Sequence, residues 1–379
     1  MKKRWPEKAA LLACAALCAS LWGCAPAEKD IDVPGQNAPT PEAASPSEQG
    51  GEGAFRMTQE GSVRNEKFRE REEFAGFIGR AESKFLIAGL NQAMTPQGIS
   101  YSGDTGLAYI TSYAITDTPS AITGVSLDTG ELAAEYYLFN PDGSPFTSHV
   151  GGIAVVGDMV YVSAKLDSDG SHSVAVLPLD QLPASGRHDV TVERTIPVPV
   201  SPSFLNYSRG VLWVGNFYHP KADYNLSPEL NFTTPSADGE YGCYILGYKM
   251  GEDGLLAIPD GEKYPIPDYA MAAPDRIQGV CCLGDEVILS QSYGRGANST
   301  LLFYRLPEGE GFDGALDVCG REIPCYILDS ARQSEAMTVM PMTEGLCLSP
   351  DGMLVLFESG SSRYSDGKYR TDHVWELKD

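Results

Sequence analysis

The chain has 379 residues, of which 51 are acidic and 28 basic, for a formal net charge of −23. That acid excess excludes nucleic acid as a partner, because phosphate contacts need a basic face, and it excludes docking on anionic lipid by charge alone. Hydrophobic residues at 42% and charged residues at 21% suit a chain with a real core, and 40 Gly with 26 Pro suit a turn-rich β protein.

Residues 1–8 (MKKRWPEK) are basic, and residues 9–23 are apolar and small. A charged start, a short apolar run and a small-residue end make a secretory signal, and the run is shorter than the ~20 residues of a spanning helix. The segment ends Leu21-Trp22-Gly23-Cys24, which resembles the lipobox of bacterial lipoproteins; Trp22 departs from the usual small or branched residue. The resemblance implies cleavage before Cys24 and acylation of its thiol. It also implies a lipid anchor on the outer, extracytoplasmic face of a bacterial cell membrane. The alternative is plain cleavage, with Cys24 incidental. Residues 24–55 are rich in Pro, Ala, Glu, Ser and Gly and almost free of large apolar side chains, so they read as a disordered tether.

Residues 56–84 form a helical lead-in, with one short helix over 64–83 that carries Phe68, Phe74 and Phe77. From residue 85 to 379 the pattern changes to short apolar runs between turn residues. Five blocks share one register: LAYITSY (107–113), MVYVSAK (159–165), VLWVGNF (211–217), EVILSQS (286–292) and MLVLFES (353–359). Each follows a shorter strand (starting near 97, 151, 203, 278 and 344) and precedes a third (near 120, 172, 242, 299 and 372). A fourth, outer strand follows in the earlier repeats, as in GELAAEYYL at 130 or REIPCYIL at 321. A meander of four antiparallel strands cannot bury both of its faces alone, and radial packing buries them.

The fold class is therefore all-β, a β-propeller of five four-stranded blades. Six blades are the alternative, if a blade is hidden inside residues 204–279, where the extra length at 219–241 looks like an insertion. The last repeat runs out of chain after its third strand, so FLIAGL (85–90) is expected to close the ring. Loss of residues up to 60 should then be tolerated, and loss of 85–90 should not. The run Leu127-Asp128-Thr129-Gly130-Glu131 resembles the third-strand turn of quinoprotein-like and YVTN-like propellers, which implies the same fold. The folded part holds Cys243, Cys281, Cys282, Cys319, Cys325 and Cys347. Four lie in apolar strand-like runs as buried thiols, and Cys319 and Cys325 flank a turn where they could pair.

In a propeller, the starts of the inner strands and the ends of the second strands open on one face. This brings Gln97, His149, Arg276, Gln278 and Glu344 to a central mouth, with Asn216 and Glu358 beside them and Tyr113, Tyr218, Tyr293 and Arg295 in the loops around. Arg276 and Glu344 are expected to pair, with Glu344 ionised. Polar groups ringed by Tyr and Arg suit a small polar molecule, a glycan or a peptide. The alternative is a channel lined with ordered water. The five His residues show no helical or finger-type zinc spacing, Asp167-Ser168-Asp169-Gly170 is only part of a calcium loop, and no nucleophile elbow or phosphate loop is present. Glu344 in Thr-Glu-Gly-Leu resembles the inner-strand glutamate of gluconolactonase-like propellers, which implies a divalent cation such as calcium and hydrolysis of a lactone; the other inner-strand starts offer no second carboxylate. The reading is a monomeric lipid-anchored binding module without a cofactor or catalytic residues, with the metal-assisted hydrolase as alternative.

Overall fold

The computed structural model describes residues 55–165, 172–222, 224, 226–307 and 311–378. The signal segment, Cys24, nearly all of the tether and the partial calcium loop Asp167–Gly170 lie outside them. None of the helices among the described residues is long and apolar enough to cross a membrane.

The chain forms five blades. Strand β1 (Ala81–Leu86) is set aside at the start. The first blade is β2 (Thr95–Ser102), β3 (Leu107–Tyr113), β4 (Ala121–Ser126) and β5 (Leu132–Phe139). The second is β6 (Ile153–Val156), β7 (Met159–Lys165) and β8 (His172–Pro178). The chain then makes β9 (Gly186–Thr191), which pairs in parallel with β5, and returns as the outer strand β10 (Arg194–Pro197). The third blade is β11 (Phe204–Ser208) and β12 (Val211–Gly215), a small hairpin of β13 (Thr234–Ser236) and β14 (Gly239–Tyr241), then β15 (Cys243–Lys249) and β16 (Tyr269–Ala273). The fourth is β17 (Ile277–Leu283), β18 (Glu286–Gln291) and β19 (Ser299–Arg305), an excursion through β20 (Gly314–Val318) and β21 (Arg321–Ile327), and the outer strand β22 (Gln333–Val339). The fifth is β23 (Thr343–Ser349), β24 (Gly352–Phe357) and β25 (His373–Leu377), completed by β1 antiparallel to β25.

Among the described residues from 204 to 273, β11, β12, β15 and β16 make a single blade and β13–β14 a separate small hairpin, which settles the count at five. The segment REIPCYIL is not the fourth strand of its own blade: β21 pairs in parallel with β16 of the blade before, and β22 takes its place. Closure comes from Ala81–Leu86 rather than 85–90. The chain leaves the sheet after Leu86 and turns at Gly89 (φ 79°).

Each blade is buried on both faces, so its central strands are apolar throughout. Along β24, Met353, Val355 and Phe357 face one hydrophobic cluster, while Leu354 and Leu356 face another. That is the period-two alternation of a strand directed to two cores. The inner strands meet backbone to backbone. A Cβ on Gly152 would lie 2.2 Å from Leu205 N, and one on Gly345 2.9 Å from Ile99 N, so only hydrogen fits. In the third blade Phe204 and Asn206 occupy this region, and Asn206 Nδ2 donates to Leu346 O of the fifth blade at 2.9 Å.

The lead-in is not one helix over 64–83. It makes 3-10 turns at Lys67–Glu70 and Glu72–Phe74 and one α-helical turn, α1 (Ala75–Ile78), before β1 begins. Short isolated helices are marginal in water, and burial of three phenylalanines decides the path instead. Phe68 and Phe77 lie 5.8 Å and 5.6 Å from the Trp375 ring, and Phe74 lies 5.2 Å from Tyr369.

Before it comes a strap. The buried Glu135 carboxylate of β5 accepts Met57 N at 2.6 Å and Arg56 Nε at 3.2 Å. Gln59 donates to Leu86 O and Gly130 O and accepts Leu132 N. Asp372 Oδ2 accepts Ser62 N at 2.7 Å and Val63 N at 2.8 Å, across a sequence separation of 310. Residues 56–63 thus bridge the first and fifth blades where the ring closes. These contacts move the expected limit of tolerated deletion from residue 60 to before residue 56. All six cysteines of the folded part are free thiols, with Cys319 exposed and Cys325 buried, so these two do not pair.

Candidate functional site

Three inner strands carry a bulge next to their glycine. Pairing slips between Pro96 and Ile99, between Ile277 and Gly279, and between Thr343 and Leu346. A bulge re-aims the side chain of the residue it releases, and the residues released include Gln97, Gln278 and Glu344. The loops leading in are held in the left-handed region at Val150 (φ 48°), Arg276 (φ 64°) and Met342 (φ 66°). For residues with a Cβ this costs roughly 1–2 kcal/mol each, and such strain clusters where geometry serves a site.

The re-aimed side chains form one network. Gln278 Nε2 donates to Glu344 Oε1 at 3.5 Å, and Gln97 Nε2 donates to Glu358 Oε2 at 3.0 Å. Tyr364 Oη donates to the same Glu358 oxygen at 3.2 Å. Glu344 and Glu358 flank the Thr343–Phe357 pair of the β23–β24 hairpin, which couples their carboxyls electrostatically. Burial, then the neighbouring Glu358 charge, holds the Glu344 carboxyl well above the usual range, so it carries the shared proton. Burial also raises Glu358 to about 7, with Tyr364 and Arg363 pulling it back. The second carboxylate that the inner-strand starts do not supply comes from the end of the neighbouring strand.

The pair belongs to a wider cleft. Arg363 Nη1 donates to Tyr113 Oη at 2.9 Å, joining the fifth blade to the first. The exposed His149 ring lies over Tyr113 at 4.3 Å between centroids. Crowding by surrounding protein, then Arg363, lowers the basicity of His149. Burial, then Glu358, pushes Tyr113 up to about 12.

A second sector is aromatic. Phe217 meets Tyr224 edge-on at 4.9 Å, and His219 meets Tyr293 at 4.6 Å. Asp275 stands between His219 Nδ1 (3.6 Å) and Arg276 Nε (3.3 Å). Arg276 therefore pairs with its chain neighbour and not with Glu344, and Glu344 is protonated rather than ionised; the cation near the carboxyl pair is Arg363.

Of the residues the sequence pointed to, Gln97, Gln278, Glu344, Glu358, Tyr113 and His149 come together, and Arg276 and Tyr293 share the adjoining sector. Asn216 is buried and spends its amide on Gly242 O and Tyr244 N. Tyr218 packs its ring over Gly242 and lines a groove of about 480 Å³ with Asp275 and Gln291. Arg295 pairs with Asp366 at 2.9 Å and lies over the Tyr364 ring. Sequence reasoning left out Tyr364 and placed Arg363 only among the loop residues around the mouth. Both follow directly on the second-strand end, in a 3-10 turn (Ser362–Tyr364) capped by Ser361.

The divalent cation implied by the gluconolactonase-like resemblance does not fit this donor set. Calcium takes about 6–8 oxygens, whereas here two carboxyls share a proton and both glutamines turn N–H donors toward them.

No family model matches the chain, and no curated protein matches it in sequence. Among solved structures it is similar to a GH43_1 enzyme from Xanthomonas citri, at 13% identity and a TM-score of 0.40, covering 81% of this chain and 92% of that one. It is also similar to a gluconolactonase from Xanthomonas campestris, at 13% identity and a TM-score of 0.30, covering 80% and 83%. It matches the hydrazine synthase of Kuenenia stuttgartiensis at 14% identity and a TM-score of 0.32, over 69% of this chain but only 55% of that one. Likeness this distant assigns no activity. What the chain's own sheets establish is a five-bladed β-propeller whose last blade is completed by its N-terminal strand.

Proposed function

We propose that the chain is a lipoprotein, anchored through Cys24 on the outer face of a bacterial membrane, whose propeller mouth binds a small polar ligand, with a glycan fragment as the best fit. The observation that carries the reading is the proton-sharing pair Glu344–Glu358, set among Gln97, Gln278, Tyr364 and Arg363 from three adjacent blades. Such a pair offers a donor and an acceptor at once, as a hydroxyl-rich ligand requires. The neighbouring His149 and Tyr113 rings, tilted by 36° to each other, supply an aromatic surface for a sugar ring. A screen of glycan fragments by melting shift and calorimetry tests it. Binding should be lost in Glu358→Gln and in Tyr113→Ala with the fold retained; a ligand held equally by both variants refutes the site.

A second reading is supported by the same pair. A carboxyl titrating near 7 beside one kept protonated is the composition of a general base and acid. Both carboxyls come from one hairpin, on either side of a single strand pair, so ester or lactone hydrolysis is the class to assay. For the anchor, Cys24→Ala should release the protein from the detergent phase.

A further inference from the structure

Where the strap meets the last strand, three side chains from opposite ends of the chain converge. Glu66, Asp372 and His373 each turn one ligand atom to a common point, with all three atoms within 4.8 Å of one another, and they are the only such group of three among the described residues. His373 Nδ1 lies 2.8 Å from Asp372 Oδ1 and 3.8 Å from Glu66 Oε1. Glu66 Oε1 is shielded from solvent and makes no hydrogen bond, and His373 Nδ1 is shielded with Asp372 Oδ1 as its one close neighbour. Shielded polar atoms without partners are rare in folded proteins and point to a missing water or ion.

The other oxygens are already committed. Asp372 Oδ2 takes the backbone N–H groups of Ser62 and Val63, and Glu66 Oε2 takes Arg69 Nε. Each carboxylate is thus oriented through one oxygen and presents the other, as outer contacts do around a bound metal. Ligand atoms on a tetrahedral zinc ion, at ~2.0–2.2 Å, lie roughly 3.3–3.5 Å from each other. The observed 2.8 and 3.8 Å bracket that spacing, and all three atoms lie within 4.8 Å, so the Glu66 side chain need only close in to form the site. Glu66 and His373 are partly exposed, which leaves a way in and a fourth position for water.

We propose that Glu66, Asp372 and His373 bind a zinc-class divalent ion that clips the strap to the start of β25. One nitrogen and two carboxylate oxygens are a borderline donor set, suited to zinc and too sparse for calcium. The role is structural: metal that binds only the assembled site stabilises the folded ring.

The test uses the purified full-length chain, stripped with chelator and titrated with zinc chloride, read by metal analysis after dialysis and by thermal melting. One equivalent should be retained at micromolar free zinc, with a saturable rise in Tm, while calcium chloride gives neither. His373→Ala and Glu66→Gln should each weaken retention at least tenfold and remove the rise. Glu66 lies at the start of the lead-in, just past the strap and outside the blades, so its variant tests the site without touching the ring. No zinc retained at 100 µM, or equal retention by wild type and both variants, overturns the proposal. Glu358→Gln at the mouth should bind zinc as wild type does, which keeps this site separate from the ligand reading.

Discussion

Replacing Glu358 with Gln removes one half of the shared-proton pair at almost constant shape. In the folded protein its carboxyl titrates at about 7, against an ordinary 4.5. Between those values the folded chain keeps a proton that the unfolded chain has released. Stability therefore falls as pH rises through this window, the reverse of a salt-bridged carboxylate. A shift of that size corresponds to about 3 kcal/mol in full. Between pH 5 and pH 8 it should appear as about 2 kcal/mol, once the partial solvent access of Glu358 is allowed for. Urea unfolding followed by tryptophan fluorescence, repeated across that range, measures it. The wild type should lose stability steadily, and Glu344, which burial also holds well above the usual carboxyl range, should add to the loss. Glu358→Gln should flatten the slope, since it deletes one titration and relieves Glu344 of its neighbour's charge. Parallel pH profiles for the two proteins would show that the carboxyls do not share a proton and would remove the basis of the mouth reading.

Other substitutions probe the frame around the mouth. Phe77→Ala empties a fully buried site against Trp375 and Phe357 and should cost about 3–5 kcal/mol in chemical denaturation. Glu135→Ala strands Met57 N and the Tyr137 hydroxyl and should cost about 2–4 kcal/mol; limited proteolysis should then cut within residues 55–63 before any blade is cleaved. Gly152→Ala sets a methyl 2.2 Å from Leu205 N and should abolish soluble folding, whereas Gly157→Ala, with open space around it but φ 54°, should cost only about 1 kcal/mol.

The blades were legible because each one is sandwiched. Two-sided burial writes long apolar runs into the sequence, and LAYITSY and MVYVSAK coincide with β3 and β7 to the residue. Outer strands carry no such mark. Arg321–Ile327 opens on two charged residues and then turns apolar, and nothing in its composition says whether it joins its own blade or the one before. The lead-in misled for a related reason: its charges read as a helix surface, but its three phenylalanines are spaced for the fifth blade. At the mouth, the re-aimed inner-strand residues follow from propeller geometry, so Gln97, Gln278 and Glu344 could be read in advance. The contact of Glu344 with Glu358 depends on hairpin register, which a bulge shifts and a sequence does not display. The cluster of Glu66 with Asp372 and His373 was beyond reach, because only ring closure makes the two ends of the chain neighbours.

The strap also determines how the domain meets mechanical load. A pull arriving from the N-terminal side reaches the Glu135, Gln59 and Asp372 attachments before it reaches β1. Those contacts act as a strain relief on a cable. Tension is divided between the first and fifth blades, on either side of the seam, and draws them together rather than peeling the closing strand away from β25. In single-molecule stretching from residue 55, an early small rupture should therefore precede loss of the ring, and Glu135→Ala should erase that first event.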